Sequence, residues 1–147
     1  MQNIVTCSFF SILDNKKLYE IMKLRQDVFV LEQNCLYPDL DDIDKRAWHV
    51  TLYRGETLAC YARVFEVGDG IVKIGRVVTA RKYRRKGLAS LVMHSAKEQA
   101  RRMDASQIVL EAQTYAVPFY QKCGFHPVGE EFLEDGIPHV RMIYDVK

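Results

Sequence analysis

The sequence predicts a mixed α/β fold: a mostly antiparallel central sheet flanked by helices. Three observations predict it. Three strand-like runs joined by glycine turns fill residues 48–79, as in an antiparallel meander. An amphipathic helical stripe follows directly, over about 86–103. A short apolar run and a second helical segment then lead into two closing strand-like arms. The 147 residues suit one domain over 1–147, large enough to bury a core without disulfides or a structural metal.

Each element has its own signal. Ile4 to Phe10 is β-rich and makes a first strand. Asp14 is placed to cap a helix in which Leu18, Ile21, Met22, Leu24, Val28 and Phe29 recur at helical spacing. That helix fades into residues 34–46, where Pro38 and aspartates 39, 41, 42 and 44 predict a solvated loop. Trp48–Tyr53, Thr57–Val67 and Ile71–Thr79 are the meander, turning at Gly55 and at Gly68-Asp69-Gly70. Leu88, Val92, Ala96 and Ala100 form the stripe of the next helix. Gln107 to Ala112 is a buried-type strand, parallel to its predecessor because a helix crossover joins them. A helix from about Tyr115 to Lys122 stops at Gly124, and a hairpin beginning near Val128 returns over Val140–Tyr144. The order is β-α-β-β-β-α-β-α-β-β.

Composition excludes several classes. At 48% hydrophobic and 27% charged, the chain is neither disordered nor membrane-spanning. The N-terminal segment lacks a basic stretch and a small-residue cleavage site, so a cytoplasmic protein is expected. Cys7, Cys35, Cys60 and Cys123 form no Cys-x-x-Cys pair and suit free thiols. The four histidines show no metal-ligand spacing.

Charge is unevenly spread. Residues 81–102 hold eight Lys and Arg against one acid, Glu98, while the whole chain is only +2. The cations gather between a strand and a helix start, around Arg84-Arg85-Lys86-Gly87-Leu88-Ala89-Ser90. A helix start presents backbone N–H groups without internal partners, and its dipole favours an anion. Small residues at 87 and 89 let a phosphate approach the backbone. The plain alternative is a solvated basic turn. A nucleic-acid patch fits less well, because the cations cluster at one helix end on an otherwise acidic chain.

Arg84-Arg-Lys-Gly87-Leu-Ala89 resembles the Arg/Gln-x-x-Gly-x-Gly/Ala motif of GNAT acetyltransferases. Ala116-Val-Pro-Phe-Tyr120-Gln-Lys-Cys-Gly124-Phe125 resembles that family's closing helix. Leu24-Arg25-Gln-Asp-Val-Phe29-Val-Leu-Glu32-Gln33 and Gly129-Glu-Glu-Phe-Leu-Glu-Asp-Gly136-Ile-Pro-His139 are similar to the ElaA-like branch. The resemblance spans essentially the whole chain.

It implies a GNAT fold whose sheet splays at the fourth strand, and an N-acetyltransferase that uses acetyl-CoA as cosubstrate. Val77, Val78 and Thr79 would pair with the pantetheine arm. Backbone from Arg85 to Ser90 would hold the pyrophosphate, with Arg84 and Lys86 beside it. Gln113 stands where many members have an asparagine that contacts the cosubstrate. Tyr120 would protonate or stabilise the departing thiolate. Three candidates stay open for the general base: Glu111, Glu32 and His49. The partner would be an unidentified amine, with neither nucleic acid nor membrane required, and a homodimer stays open. The four aspartates would favour a cationic acceptor if they flank the cleft. A module that binds acyl-CoA without turnover is the second reading.

Overall fold

The computed structural model describes residues 2–146. β1 (Asn3–Phe9) leads through a short 3-10 turn to α1 (Asn15–Arg25). Asp14 caps that helix, its carboxylate accepting from the Lys17 N–H at 2.7 Å. The helix does not fade as the sequence suggests. It widens into a π-helical segment, Gln26–Glu32. β2 (Trp48–Arg54), β3 (Thr57–Gly68) and β4 (Ile71–Thr79) form the expected meander. α2 (Leu88–Arg102) crosses to β5 (Gln107–Gln113), and α3 (Val117–Lys122) precedes β6 (His126–Glu134) and β7 (Ile137–Asp145).

The seven strands form one sheet in the order β1-β2-β3-β4-β5-β7-β6. Every pairing is antiparallel except β4 with β5. α2 covers one face of the sheet. Its Leu88, Val92, Met93 and Ala96 pack on Leu52, Ile74 and Ile108. α1 and the π-helical segment cover the other face through Ile21, Leu24 and Val28 against Leu58, Tyr61 and Val78.

Several boundaries differ from the sequence reading. α2 starts at Leu88, not Lys86, because its N-cap Gly87 is left-handed at φ 76°. The α-helical part of the next helix starts at Val117, after a 3-10 turn over Thr114–Ala116. Gly124 follows the C-cap residue Cys123 at φ 97°, and a Cβ there would lie 2.8 Å from Tyr144, so only glycine fits. The final hairpin has longer arms than its apolar residues suggest. β6 is an edge strand, exposed along most of its length, and lacks the alternation that marks a half-buried strand.

Candidate active site

β4 and β5 share three rungs, Ile71 to Lys73 against Gln107 to Val109. Beyond them the facing backbone edges have no strand partner and the strands part in a V. The cause lies in β4. Its pairing with β3 passes from Arg63↔Gly75 to Tyr61↔Val78, so β4 carries one extra residue, a bulge. Arg76 within it is left-handed at φ 50°, an uncommon state for a residue with a side chain. Asp39 holds it there: Arg76 Nε donates to the carboxylate at 2.8 Å and a terminal nitrogen donates to the Asp39 carbonyl at 3.0 Å.

A cleft of about 650 Å³ opens along the V. Val77, Val78 and Thr79 line one wall and Glu111 and Gln113 the other. Lys73, on the last shared rung, forms an ion pair with Glu111, two residues beyond that rung on β5. Tyr120 faces the cleft from α3, only 9% exposed, its ring edge-on to Phe119 and Phe125. Burial pushes its phenol well above the usual tyrosine value, so it stays protonated at neutral pH. Its hydroxyl has no hydrogen-bond partner among the described residues.

The basic loop flanks the open end of the V. Arg84 and Ala89 line the cleft. Arg84 donates to the Thr79 carbonyl at 3.1 Å and forms a two-pronged ion pair with Glu32 at 2.6 and 2.9 Å. Arg85, Lys86, Gly87 and Ser90 are exposed beside it, outside the cleft wall, while the Leu88 side chain is in the core. No side chain caps α2, so its first backbone N–H groups have no capping acceptor. Arg85 and Gly87 both have positive φ, and a Cβ on Gly87 would meet no atom within 4 Å. This shape suits a diphosphate: free N–H groups, a helix dipole, open space and nearby cations.

The π-helical segment and its C-cap residue Gln33 bring Phe29, Glu32 and Gln33 to the cleft opposite β5. Gln113 donates to the Gln33 side chain at 3.2 Å. Cys35 donates from Sγ to the Asp135 carbonyl at 3.3 Å, tying the following loop to the β6–β7 turn.

The aspartate segment is not the solvated loop that its composition predicts. Residues 42–46 form a 3-10 helix, and three of the four aspartates pair with arginines. Arg25, fully buried, donates to Asp39 at 3.0 Å and to Asp44 at 2.7 Å. Arg63 donates to Asp41 at 2.7 Å and to Asp44 at 2.8 Å. Asp41 lines the cleft but is neutralised there, so these aspartates give no net charge to attract a cation.

The three base candidates are not equivalent. His49 is fully buried outside the cleft, its Nδ1 2.5 Å from the Tyr61 hydroxyl and its Nε2 2.9 Å from the Asp44 carbonyl. Burial also lowers its pKa. It is a core residue and cannot reach a substrate. Glu32 and Glu111 line the cleft, each bound to a cation. The hydrogen bond from Arg84 holds the Glu32 carboxyl below the ordinary range, which makes it a poor base.

The sequence reading missed a fourth candidate. His139 lines the cleft on β7, directly opposite Gln113 of β5. Cross-strand partners share a face, so it stands beside the wall that carries Glu111 and Gln113. Its Nδ1 lies 2.7 Å from the Ile137 carbonyl, which can only accept. In the neutral ring Nδ1 therefore carries the hydrogen and Nε2 keeps a lone pair. A histidine after a turn and a proline carries no such signal in one sequence. Among the described residues no group of three or more acids, histidines or cysteines could hold a metal.

A family model described as Acetyltransferase (GNAT) domain matches residues 9–146. The chain belongs to the GNAT acetyltransferase family. ElaA of Escherichia coli is 36% identical to this GNAT chain over 141 residues, 92% of each. Its crystal structure superposes with a TM-score of 0.91, covering 98% of this chain and 100% of that one. An acyl-CoA N-acyltransferase from Pseudomonas aeruginosa superposes at 0.90 with 34% identity, covering 97% and 99%. Uncharacterized N-acetyltransferase YjcF of Bacillus subtilis is 34% identical over 134 residues, 90% of this chain and 95% of that one. The ElaA-like GNAT fold inferred from the motifs is thus the fold of this chain. No helix among the described residues is long and apolar enough to cross a membrane.

Proposed function

We propose that this GNAT domain transfers an acetyl group from acetyl-CoA to a primary amine by direct attack within a ternary complex. The single observation that carries the reading is the V. Two unpaired strand edges run from an uncapped, cation-rich helix start to the free hydroxyl of Tyr120. An extended amide-bearing chain can pair with such edges as an added strand would. Acetyl-CoA has that form, with a diphosphate at one end and a thioester at the other.

The residues divide the work by position. Backbone at Val77, Val78 and Thr79 holds the pantetheine arm, and the N–H groups of residues 85–90 hold the diphosphate. Arg84, Lys86 and Gln113 border the path. The acceptor enters from the side of the π-helix and the β6–β7 hairpin. His139 Nε2 takes a proton from the acceptor ammonium, leaving a neutral amine. The amine nitrogen bonds to the acetyl carbon, the carbon–sulfur bond breaks, Tyr120 gives its proton to the departing sulfur, and the proton the acylated nitrogen then sheds restores the phenol. Glu111, tied to Lys73, helps to orient the amine. A cysteine nucleophile is unnecessary, because the transfer needs no covalent enzyme intermediate.

The ion-paired state of Glu32 and Glu111 favours the rival reading, a sensor that binds acyl-CoA without turnover. The lone pair of His139 favours catalysis. The test pairs acetyl-CoA calorimetry with CoA release over a panel of primary amines. Micromolar binding with amine-dependent release is expected. Binding without release from any amine would leave only the sensor, and no binding would end both readings.

A further inference from the structure

The ring of His139 is fixed from three sides. Phe132, its partner across the β6–β7 ladder, stacks on it with centroids 6.0 Å apart and planes 24° from parallel. The Ile137 carbonyl takes the Nδ1 hydrogen at 2.7 Å. Glu134 ends β6 two residues beyond Phe132, so its side chain shares that face, and a carboxylate oxygen lies 3.7 Å from Nε2. Asp135 and Gly136, with φ of 52° and 77°, make the tight turn that keeps Glu134 opposite Ile137.

That spacing has a chemical meaning. With the ring neutral, Nε2 and the carboxylate are both acceptors, so they repel across the gap unless a positive group joins them. One ammonium nitrogen about 2.9 Å from each can donate to both at once. Other carboxylates of the cleft are engaged elsewhere: Glu111 with Lys73, Glu32 with Arg84 and Asp41 with Arg63. Among the described residues the one ion-pair contact of Glu134 is His139 itself. The two side chains also differ in access to water. His139 is 7% exposed, whereas the Glu134 side chain is 48% exposed, so the carboxylate connects a buried base to solvent.

We infer that Glu134 is a second catalytic residue, which grips the acceptor ammonium together with His139. The inference rests on the amine-acetyltransferase reading and narrows its acceptors to alkylamines that arrive protonated. The ammonium donates one hydrogen to Glu134 and another to Nε2. The second proton passes to Nε2, and the carboxylate beside it stabilises the imidazolium that forms. The amine, now neutral, attacks the thioester. The imidazolium proton leaves to water by way of Glu134, so each turnover releases one proton and returns the neutral ring.

Ethylamine and its trifluoro analogue share a carbon chain, but at neutral pH the first is an ammonium and the second a neutral amine. Steady-state kinetics with acetyl-CoA compares both amines in the wild type, Glu134→Gln, His139→Ala and the double variant. Glu134→Gln should lower kcat/KM at least about fivefold for ethylamine and less than about twofold for the neutral amine, with the acetyl-CoA KM unchanged. In the His139→Ala background the same substitution should cost ethylamine less than about twofold, because the grip is already broken. Glutamine keeps the length of the side chain at a half-exposed strand end, so the hairpin should fold. Equal losses with both amines would make Glu134 a structural residue and overturn the inference. An unchanged rate with ethylamine, or losses from the two sites that simply multiply, would overturn it as well. A wild type that releases CoA with no amine would overturn the transfer reading, and the paired grip with it.

Discussion

Replacing Tyr120 with Phe removes one hydroxyl and leaves the edge-on contacts with Phe119 and Phe125 intact. If that hydroxyl protonates the departing sulfur, kcat should fall about a hundredfold with acetyl-CoA affinity unchanged. Steady-state kinetics beside calorimetry separates this from a packing defect, which would weaken binding as well. His139→Ala should lower kcat by a similar factor, and added imidazole should restore part of the rate. A purely structural histidine would show no such rescue. Residues of this kind differ in how well one sequence shows them. Tyr120 sits in a motif with a fixed place relative to Gly124, so its position at the cleft was legible. His139 and His49 look alike in sequence, each an isolated histidine in a strand. Both face the α1 side of the sheet, and they differ in what packs over them and what already binds their nitrogens.

The loop from Arg84 to Gly87 and the start of α2 act as one element. Gly87→Glu places a carboxylate in open space before a helix start, where it neutralises the positive end of the dipole and repels the diphosphate, and should weaken acetyl-CoA binding at least about tenfold. Glutamate is strained at φ 76°, so Gly87→Asn is the control, because asparagine tolerates that region. The control should bind within about threefold of wild type, and its calorimetric titration distinguishes lost charge complementarity from lost loop shape. The strands β1 to β5 and α2 were legible because periodicity and glycine turns mark them, and α3 because Gly124 ends it, whereas exposed β6 has no alternation to read. The π-helical segment was not, since its apolar residues continue the helical pattern of α1. The β4 bulge was not either. It depends on a salt bridge from Asp39 to Arg76 across 37 residues, which local propensity does not encode.

Across the whole molecule, the arginine and aspartate network ties the 34–46 segment to α1, β3 and β4. Burial alone would raise the Asp44 carboxyl, but the hydrogen bond and charge of Arg25, reinforced by Arg63, outweigh it and hold it below the ordinary value. The unfolded chain then binds the proton more readily than the folded one. The stability from this pair is complete above about pH 4, the ordinary aspartate range, and is lost as pH falls through the lower folded value. Urea midpoints should therefore hold between pH 8 and about 5 and fall below that range. Asp44→Asn takes one of two carboxylate partners from buried Arg25 and from Arg63 and should cost about 3 kcal/mol at neutral pH while flattening the acid decline. The V sets a second large-scale dependence. A sheet with a gap in its middle carries two raw edges in its interior, a template for stray strands that other proteins blunt at their rims. If acetyl-CoA fills that gap, amides in residues 74–79 that do not bond β3 should exchange more slowly in its presence, as deuterium uptake would show. By mass action the bound form also resists unfolding. The steady abundance of this protein would then follow the cell's supply of acetyl-CoA, with starved cells clearing the empty chain fastest by proteolysis.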